Sequence, residues 1–242
     1  MEATPRLSSL YVEPERTSDE AGPPALELID VFKIFRSGPA ETVALRGLDL
    51  RVEAREMVAV VGPSGSGKST MLSVAAAMDV PSAGDVRVGG RSLARMSETE
   101  LAGLRAREVG VIFQSDNLWP TLSAKENVAA SARIAGARAA EQRSQEALVR
   151  FGLERRAGNT PDRLSGGEQQ RVAIAGVAAR RPTLVFADEP TGELDARNEA
   201  TVLDVLSKLR DDYEAAVVVV THSTSVAETC DRVVEISDGR AV

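Results

Sequence analysis

The sequence predicts an α/β domain with a mostly parallel core sheet, a small antiparallel β lobe and a helical subdomain. Three observations carry this. The apolar run Met57 to Val61 leads directly into Gly62, Pro63, Ser64, Gly65, Ser66, Gly67, Lys68 and Ser69, and small apolar residues follow from Thr70 to Met78. Strand, glycine-rich loop and helix therefore occur in that order. Two further runs, Thr183 to Ala187 and Val217 to Val220, are apolar enough for strands buried on both faces. Between them and the loop, Ser123 to Gly152 is rich in Ala, Arg, Glu and Gln, with Gly136 as a break, which predicts two helices.

Taken in order, Met1 to Pro24 is proline-containing, acidic and poor in apolar residues, and reads as a flexible tail. The folded domain is expected over 25–242, with its helical subdomain at about 115–165. Leu26 to Phe35 is strand-like and breaks at Ser37-Gly38-Pro39; Val43 to Val52 alternates again, giving two antiparallel stretches for the β lobe. Pro81 to Asp85 reads as a turn, and Val86 to Val88 as a short strand closed by Gly89-Gly90. Ser97 with Glu100 is a capping box for a helix through about Arg107. Val109 to Phe113 is a strand with Gln114 at its end, and Asn117 to Thr121 an irregular loop. A helix is predicted from about Glu168 to Arg180, ended by Pro182, and another over Thr201 to Leu209. Ile236 and Val242 flank a final Asp238-Gly239 turn.

Composition excludes several classes. The net charge is −7 and basic residues are interspersed with acids, so no nucleic-acid surface is indicated. The one cysteine, Cys230, cannot form an internal disulfide and fits a reducing compartment. The run Ala215 to Val220 is far shorter than the about 20 residues a membrane helix needs, and the N-terminus lacks a signal-peptide pattern. A cytoplasmic chain, able to bind a membrane protein, is expected.

The chemistry begins at the glycine-rich loop. Its spacing is that of a phosphate loop: glycines admit phosphate oxygens close to the backbone, N–H groups form an anion nest, and the helix N-terminus adds its positive end. Lys68 is placed to reach the β and γ phosphates, and the Ser69 hydroxyl to hold Mg²⁺. In Leu164 to Arg171, Ser165, Gly166 and Gly167 lead into a helix and again present a hydroxyl and N–H groups to an anion. Taken alone, an ordinary Ser-capped helix accounts for that stretch. Asp188 and Glu189 end a predicted parallel strand, where α/β sheets place ligand chemistry. Asp188 suits a Mg²⁺ contact and Glu189 the orientation of an attacking water; an exposed acidic loop explains the pair equally well without context. His222 is the only histidine and also follows a strand, which favours a γ-phosphate contact. For Phe35, packing in the β lobe is the simpler account, and stacking on adenine the alternative.

Together these stretches resemble the nucleotide-binding subunit of an ABC transporter from Leu26 to Val242. The resemblance implies an ABC-type P-loop NTPase with ATP and Mg²⁺ as ligands. It implies nucleotide contacts from Phe35 (adenine), from Gly62 to Thr70, and from Gln114, which is also expected at the metal with Ser69 and Asp188. The signature Leu164 to Gln170 adds Ser165, Gly166, Gly167 and Glu168; Asp195 matches the D-loop aspartate, Glu189 the catalytic glutamate and His222 the switch histidine. The wording around these sites is most similar to the MacB and LolD type, which drives macrolide or peptide export, lipoprotein release or related work on the envelope. A homodimer sandwiching two ATP molecules and a polytopic membrane permease are the implied partners, with the chain peripheral on the cytoplasmic face of the membrane.

Three residues depart from the family pattern: Arg55 where glycine is usual, Gly176 inside the signature helix, and Glu193 where asparagine or a small residue is usual. Two other functions compete. A soluble ATPase of ribosomes or DNA would carry two motif sets or a long coiled-coil insertion, whereas about 50 residues separate Gln114 from Leu164 here. A regulatory subunit that binds ATP without turnover is opposed by the intact Glu189 and His222.

Overall fold

The computed structural model describes residues 22–38 and 40–242. Most of the expected tail, and Pro39 of the Ser37-Gly38-Pro39 break, lie outside them. Pro24, assigned to that tail, is buried, and the Gly89 N–H donates to the Ala25 carbonyl at 3.1 Å, so packing against the domain begins before residue 25.

The β lobe is larger than the two stretches expected. Strands β1 (Leu26–Ser37), β2 (Ala40–Val52), β4 (Ala83–Val88) and β5 (Arg91–Ser92) form one antiparallel sheet in the order β2-β1-β4-β5. Ala83 to Asp85, read from sequence as turn, is the start of β4, where it pairs with β1. The second sheet has the order β10-β9-β3-β8-β7-β6. Its strands are β3 (Met57–Val61), β6 (Val109–Ile112), β7 (Leu184–Asp188), β8 (Ala216–Val220), β9 (Arg232–Ser237) and β10 (Arg240–Ala241). All pair in parallel except β10, which returns antiparallel on β9. Strand β6 stops at Ile112, one residue short of the expected Phe113.

The alternation of side chains along a strand explains why the central runs are apolar throughout. Met57, Val185, Ala187, Val217 and Val219 enter one core with the helices, while Val58, Val60, Leu184, Phe186, Val218 and Val220 enter a second with the β lobe. Helices α1 (Lys68–Ala75) and α2 (Glu98–Arg107) belong with the second core; α3 (Ala124–Ile134), α4 (Ala140–Arg150), α5 (Gly166–Arg180) and α6 (Ala196–Tyr213) belong with the first. A last short helix, α7 (Thr224–Ala227), follows β8. Helices α5 and α6 start earlier than expected because Ser165 and Asp195 cap them, accepting from the backbone N–H of Glu168 and Asn198 respectively. The capping box read at Ser97/Glu100 is present, and it recurs at Ser123/Glu126 and Ser165/Glu168.

Helices α3, α4 and α5 share their core with the sheet. Ala124, Val128 and Ala132 of α3, Ala147 and Leu148 of α4, and Val172, Ala175 and Ala179 of α5 are continuous with Val185 and Val219. Gly176 fits this seam: a Cβ there would meet the Ser131 Cβ at 3.5 Å, an ordinary contact, so the glycine fills no steric need. Arg180 ends α5 with a guanidinium that donates to the carbonyls of Ala106 at 3.0 Å and Val109 at 2.7 Å and to that of Arg105. These bonds satisfy carbonyls at the end of α2; burial pushes the Arg180 pKa down.

Arg55 has φ 63°, the left-handed region in which a side chain is strained. Its ion pair with Glu214 joins two exposed groups and contributes little. Arg55→Gly is expected to raise stability by about 0.5–1 kcal/mol, the relief of strain exceeding the entropy cost of glycine. Urea denaturation checks this, and a lower midpoint would assign Arg55 a net favourable role.

Candidate active site

In the parallel sheet β8 lies between β3 and β7, so the ends of all three open on one edge. β3 runs into the glycine-rich loop, β7 into Asp188-Glu189, and β8 into Thr221-His222. The topology thus brings together three stretches far apart in sequence.

Within the loop, a Cβ on Gly62 would lie 2.1 Å from the Ile236 carbonyl oxygen, and one on Gly67 2.6 Å from that of Ala44. Gly67 at φ 108° is the N-cap of α1, and no side chain caps that helix. Its first N–H groups therefore point out without side-chain partners. Ser66 Oγ is buried with no hydrogen-bond partner. Lys68 Nζ donates to the carbonyls of Gly62 at 2.7 Å and Pro63 at 2.9 Å, which holds the ammonium over the loop backbone. Open N–H groups, an orphaned buried hydroxyl and a held ammonium are the complement of a polyphosphate. Ser69, the next residue, is exposed.

Asp188 is half-buried, and burial pushes its carboxyl above the usual range; Glu189 adds to the shift and Lys68 partly offsets it. A carboxylate destabilised in this way gains from a cation. Among the described residues no three His, Cys, Asp or Glu side chains gather into a metal cage. Mg²⁺ takes one or two protein carboxylates and completes its shell with phosphates and water, so its binding does not call for such a cage.

Glu189 sits at φ 45°, a strained conformation directly after β7, and its N–H donates to the Val220 carbonyl at 2.9 Å. Its carboxylate is held from the neighbouring strand end. His222 Nδ1–H donates to Oε1 at 2.8 Å and Thr221 Oγ1 to Oε2 at 3.4 Å. The sequence singled out Glu189 and His222 separately; their direct contact and the part of Thr221 come from the adjacency of β7 and β8. His222 remains largely exposed.

Gln114 is exposed, and its Nε2 donates to Glu193 Oε1 at 3.3 Å. The hydrogen bond of the expected metal residue is thus to the D-loop. Behind it, the Phe113 N–H donates to Asn117 Oδ1 at 2.9 Å, while Asn117 Nδ2 and Gln170 Nε2 both donate to the Phe113 carbonyl, at 2.7 and 3.0 Å. The sequence places Gln170 in the signature and Asn117 in the irregular loop; that both clamp Phe113 emerges only in the folded chain.

At the start of α5, Ser165 Oγ accepts from the Glu168 N–H at 3.3 Å. Glu168 Oε2 accepts from the Ser165 N–H at 2.9 Å and Oε1 from Arg156 Nε at 2.8 Å. Contacts to the Ser165 backbone chiefly hold the Glu168 carboxyl below its usual range. Of the expected nucleotide residues, Glu168 is therefore turned inward to the cap, while Ser165 keeps its hydroxyl proton and Gly166 is open. Gly167 lies against Asn198: a Cβ there would sit 2.6 Å from Asn198 Oδ1. Asn198 in turn is held by Asp195, whose Oδ1 accepts from its N–H at 2.9 Å. Phe35 on β1 is half-exposed, with Lys33 Nζ 5.1 Å from its ring centroid.

A family model described as ABC transporter matches residues 45–192. The macrolide export ATP-binding/permease protein MacB of Nitrobacter winogradskyi is 44% identical over 222 residues, which are 91% of this chain and 34% of that protein. The chain thus spans about a third of the length of the MacB relatives. The lipoprotein-releasing system ATP-binding protein LolD of Chromohalobacter salexigens is 43% identical over 86% of this chain and 89% of its own. Among solved structures, a dimeric ATP-binding cassette, MJ0796, in a post-hydrolysis state bound to ADP and Pi superposes with a TM-score of 0.81 at 36% identity, covering 89% of this chain and 96% of that one.

Proposed function

The chain belongs to the ABC transporter family, and from that membership we propose that it binds ATP with Mg²⁺, closes around it with a second copy and hydrolyses it to drive a polytopic membrane permease. The observation that carries this is the meeting of Glu189, His222 and Asp188 with the phosphate loop at one sheet edge. Phe35 offers a face to adenine, and Gly62 to Thr70 wrap the phosphates. Lys68 leaves its two carbonyls for phosphate oxygens, and Ser69, Asp188 and the Gln114 carbonyl would hold Mg²⁺. The ion, when bound, neutralises charge between the phosphates. Glu189 orients a water and takes its proton; His222 fixes the carboxylate that does so. Ser165, Gly166 and Gly167 of one copy face the γ-phosphate held by the other, with Asp195 at the seam. No nucleic acid enters the scheme.

No helix among the described residues is long and apolar enough to cross a membrane. The likeness to MacB and LolD supports work on a membrane-spanning part with this domain on its cytoplasmic side. The stretch Gln114 to Asn127 would receive the permease, and a shallow apolar depression lined by Trp119, Thr121, Leu122, Ala130, Arg133 and Ile134 supports that reading. The similarity to MacB and LolD supports an exporter or an envelope mechanotransmission system. Purification of the Glu189→Gln chain from native membranes with ATP tests the assignment. Recovery of a polytopic membrane protein supports it; recovery alone, or with ribosomes, overturns it.

A further inference from the structure

Glu193 departs from the family pattern and is the one residue whose side chain bonds to Gln114 among the described residues. The geometry has three parts. First, turns fix the segment after the catalytic glutamate, the Gly192 N–H donating to the Glu189 carbonyl at 3.1 Å and the Leu194 N–H to that of Thr191 at 3.0 Å. Second, this brings the backbone against the glutamine: a Cβ on Gly192 would lie 3.3 Å from Gln114 Nε2 and 3.6 Å from its Cδ. Third, Gln114 and Glu193 line one polar cleft of about 330 Å³ between the Gln114 loop, the start of α5 and the Glu193 turn.

A carboxamide has a donor end and an acceptor end of nearly equal shape, and its rotation exchanges them. A carboxylate only accepts, so the end of Gln114 facing Glu193 must be the NH₂ group. Asparagine at position 193 could face either end and would leave the rotation undecided.

We infer that Glu193 is a positioning residue that fixes the amide of Gln114 with Nε2 toward the D-loop and Oε1 free to accept a divalent cation. The inference rests on the proposed role of Gln114 at the metal. Glu193 itself touches neither nucleotide nor metal in this scheme. It links the D-loop of one copy to the metal side of its own nucleotide site.

Calorimetry on the purified full chain tests this, with the non-hydrolysable ATP analogue AMP-PNP titrated in the presence of Mg²⁺ and in EDTA. The ratio of the two affinities is the gain due to the metal. Glu193→Ala is expected to cut that gain about threefold to tenfold, the range for one ordinary hydrogen bond, as suits an exposed contact of 3.3 Å, and to leave the affinity in EDTA unchanged. Glu193→Gln, whose carboxamide can turn either end toward Gln114 and so leaves the rotation undecided, is expected to lose the gain much as Ala does. A purely electrostatic role for Glu193 would survive removal of the Gln114 side chain. In a Gln114→Ala background the Glu193→Ala effect should vanish. An undiminished gain in Glu193→Ala or in Glu193→Gln, or an effect persisting without Gln114, overturns the inference alone. Should Gln114→Ala itself keep the full gain, the metal role of Gln114 falls, and the inference with it.

Discussion

Glu189→Gln is expected to lower phosphate release by at least about 10²-fold, the lower end of what a positioned general base contributes. Glutamine has the shape of glutamate, and its carbonyl can still accept from His222 Nδ1–H, 2.8 Å from Oε1 in the parent. The strand end should therefore keep its geometry while losing the basicity that draws a proton from water. ATP binding should survive, and because in the proposed cycle closure of two copies precedes hydrolysis, an ATP-dependent dimer should accumulate. Size-exclusion chromatography with and without ATP, beside a phosphate-release assay, reads both effects. Turnover at the parent rate would remove Glu189 from the catalytic role.

Lys68→Met is expected to cost about 10³-fold or more in turnover, the scale on which charge stabilisation acts in phosphoryl transfer. Its effect on the fold should be small by comparison. The ammonium donates only to two loop carbonyls, of which that of Pro63 is exposed and can turn to water. The melting temperature without nucleotide should change little, while the rise that ATP produces in the parent chain should be lost, since a ligand stabilises only what it binds. A variant that melts like the parent with saturating ATP would show that the loop backbone alone holds the phosphates.

The difference between these residues and Glu193 also marks what the sequence reveals. The phosphate loop is contiguous and its chemistry is legible residue by residue, whereas the Asp188-Glu189 pair and the signature, contiguous too, are told from an acidic loop and a Ser-capped helix only by the set they belong to. Contacts such as Gln114 to Glu193 join positions 79 apart, and Asn117 to Gln170 joins positions 53 apart; neither leaves a local pattern. Strand β9 was hidden for another reason. Arg232 and Glu235 interrupt Val233, Val234 and Ile236, as suits a strand with partly exposed side chains, and the apolar signal of the central strands is diluted. Helix α6 extends to Tyr213 through Arg210, Asp211 and Asp212, a polar last turn that carries no periodic marker. Phe35 needed the family resemblance, because a half-exposed aromatic on a strand has no chemistry of its own to announce.

The double clamp on the Phe113 peptide has a mechanical consequence. Both backbone groups of that residue are bonded, the N–H to Asn117 and the carbonyl to Asn117 and Gln170, and Gln170 is almost fully buried on α5. Compliance in the loop is thereby confined to the few residues from Gln114 to Asp116, the last of which is in the left-handed region at φ 59°. A load applied to the exposed Trp119 side of the loop would travel along α5 as along a lever, with its pivot where Arg180 grips the end of α2. Ser165 caps the far end of that lever, beyond Gln170, so in the proposed cycle a load on the Trp119 side and a shift of the Ser165 face toward or away from the second copy would be one rigid displacement.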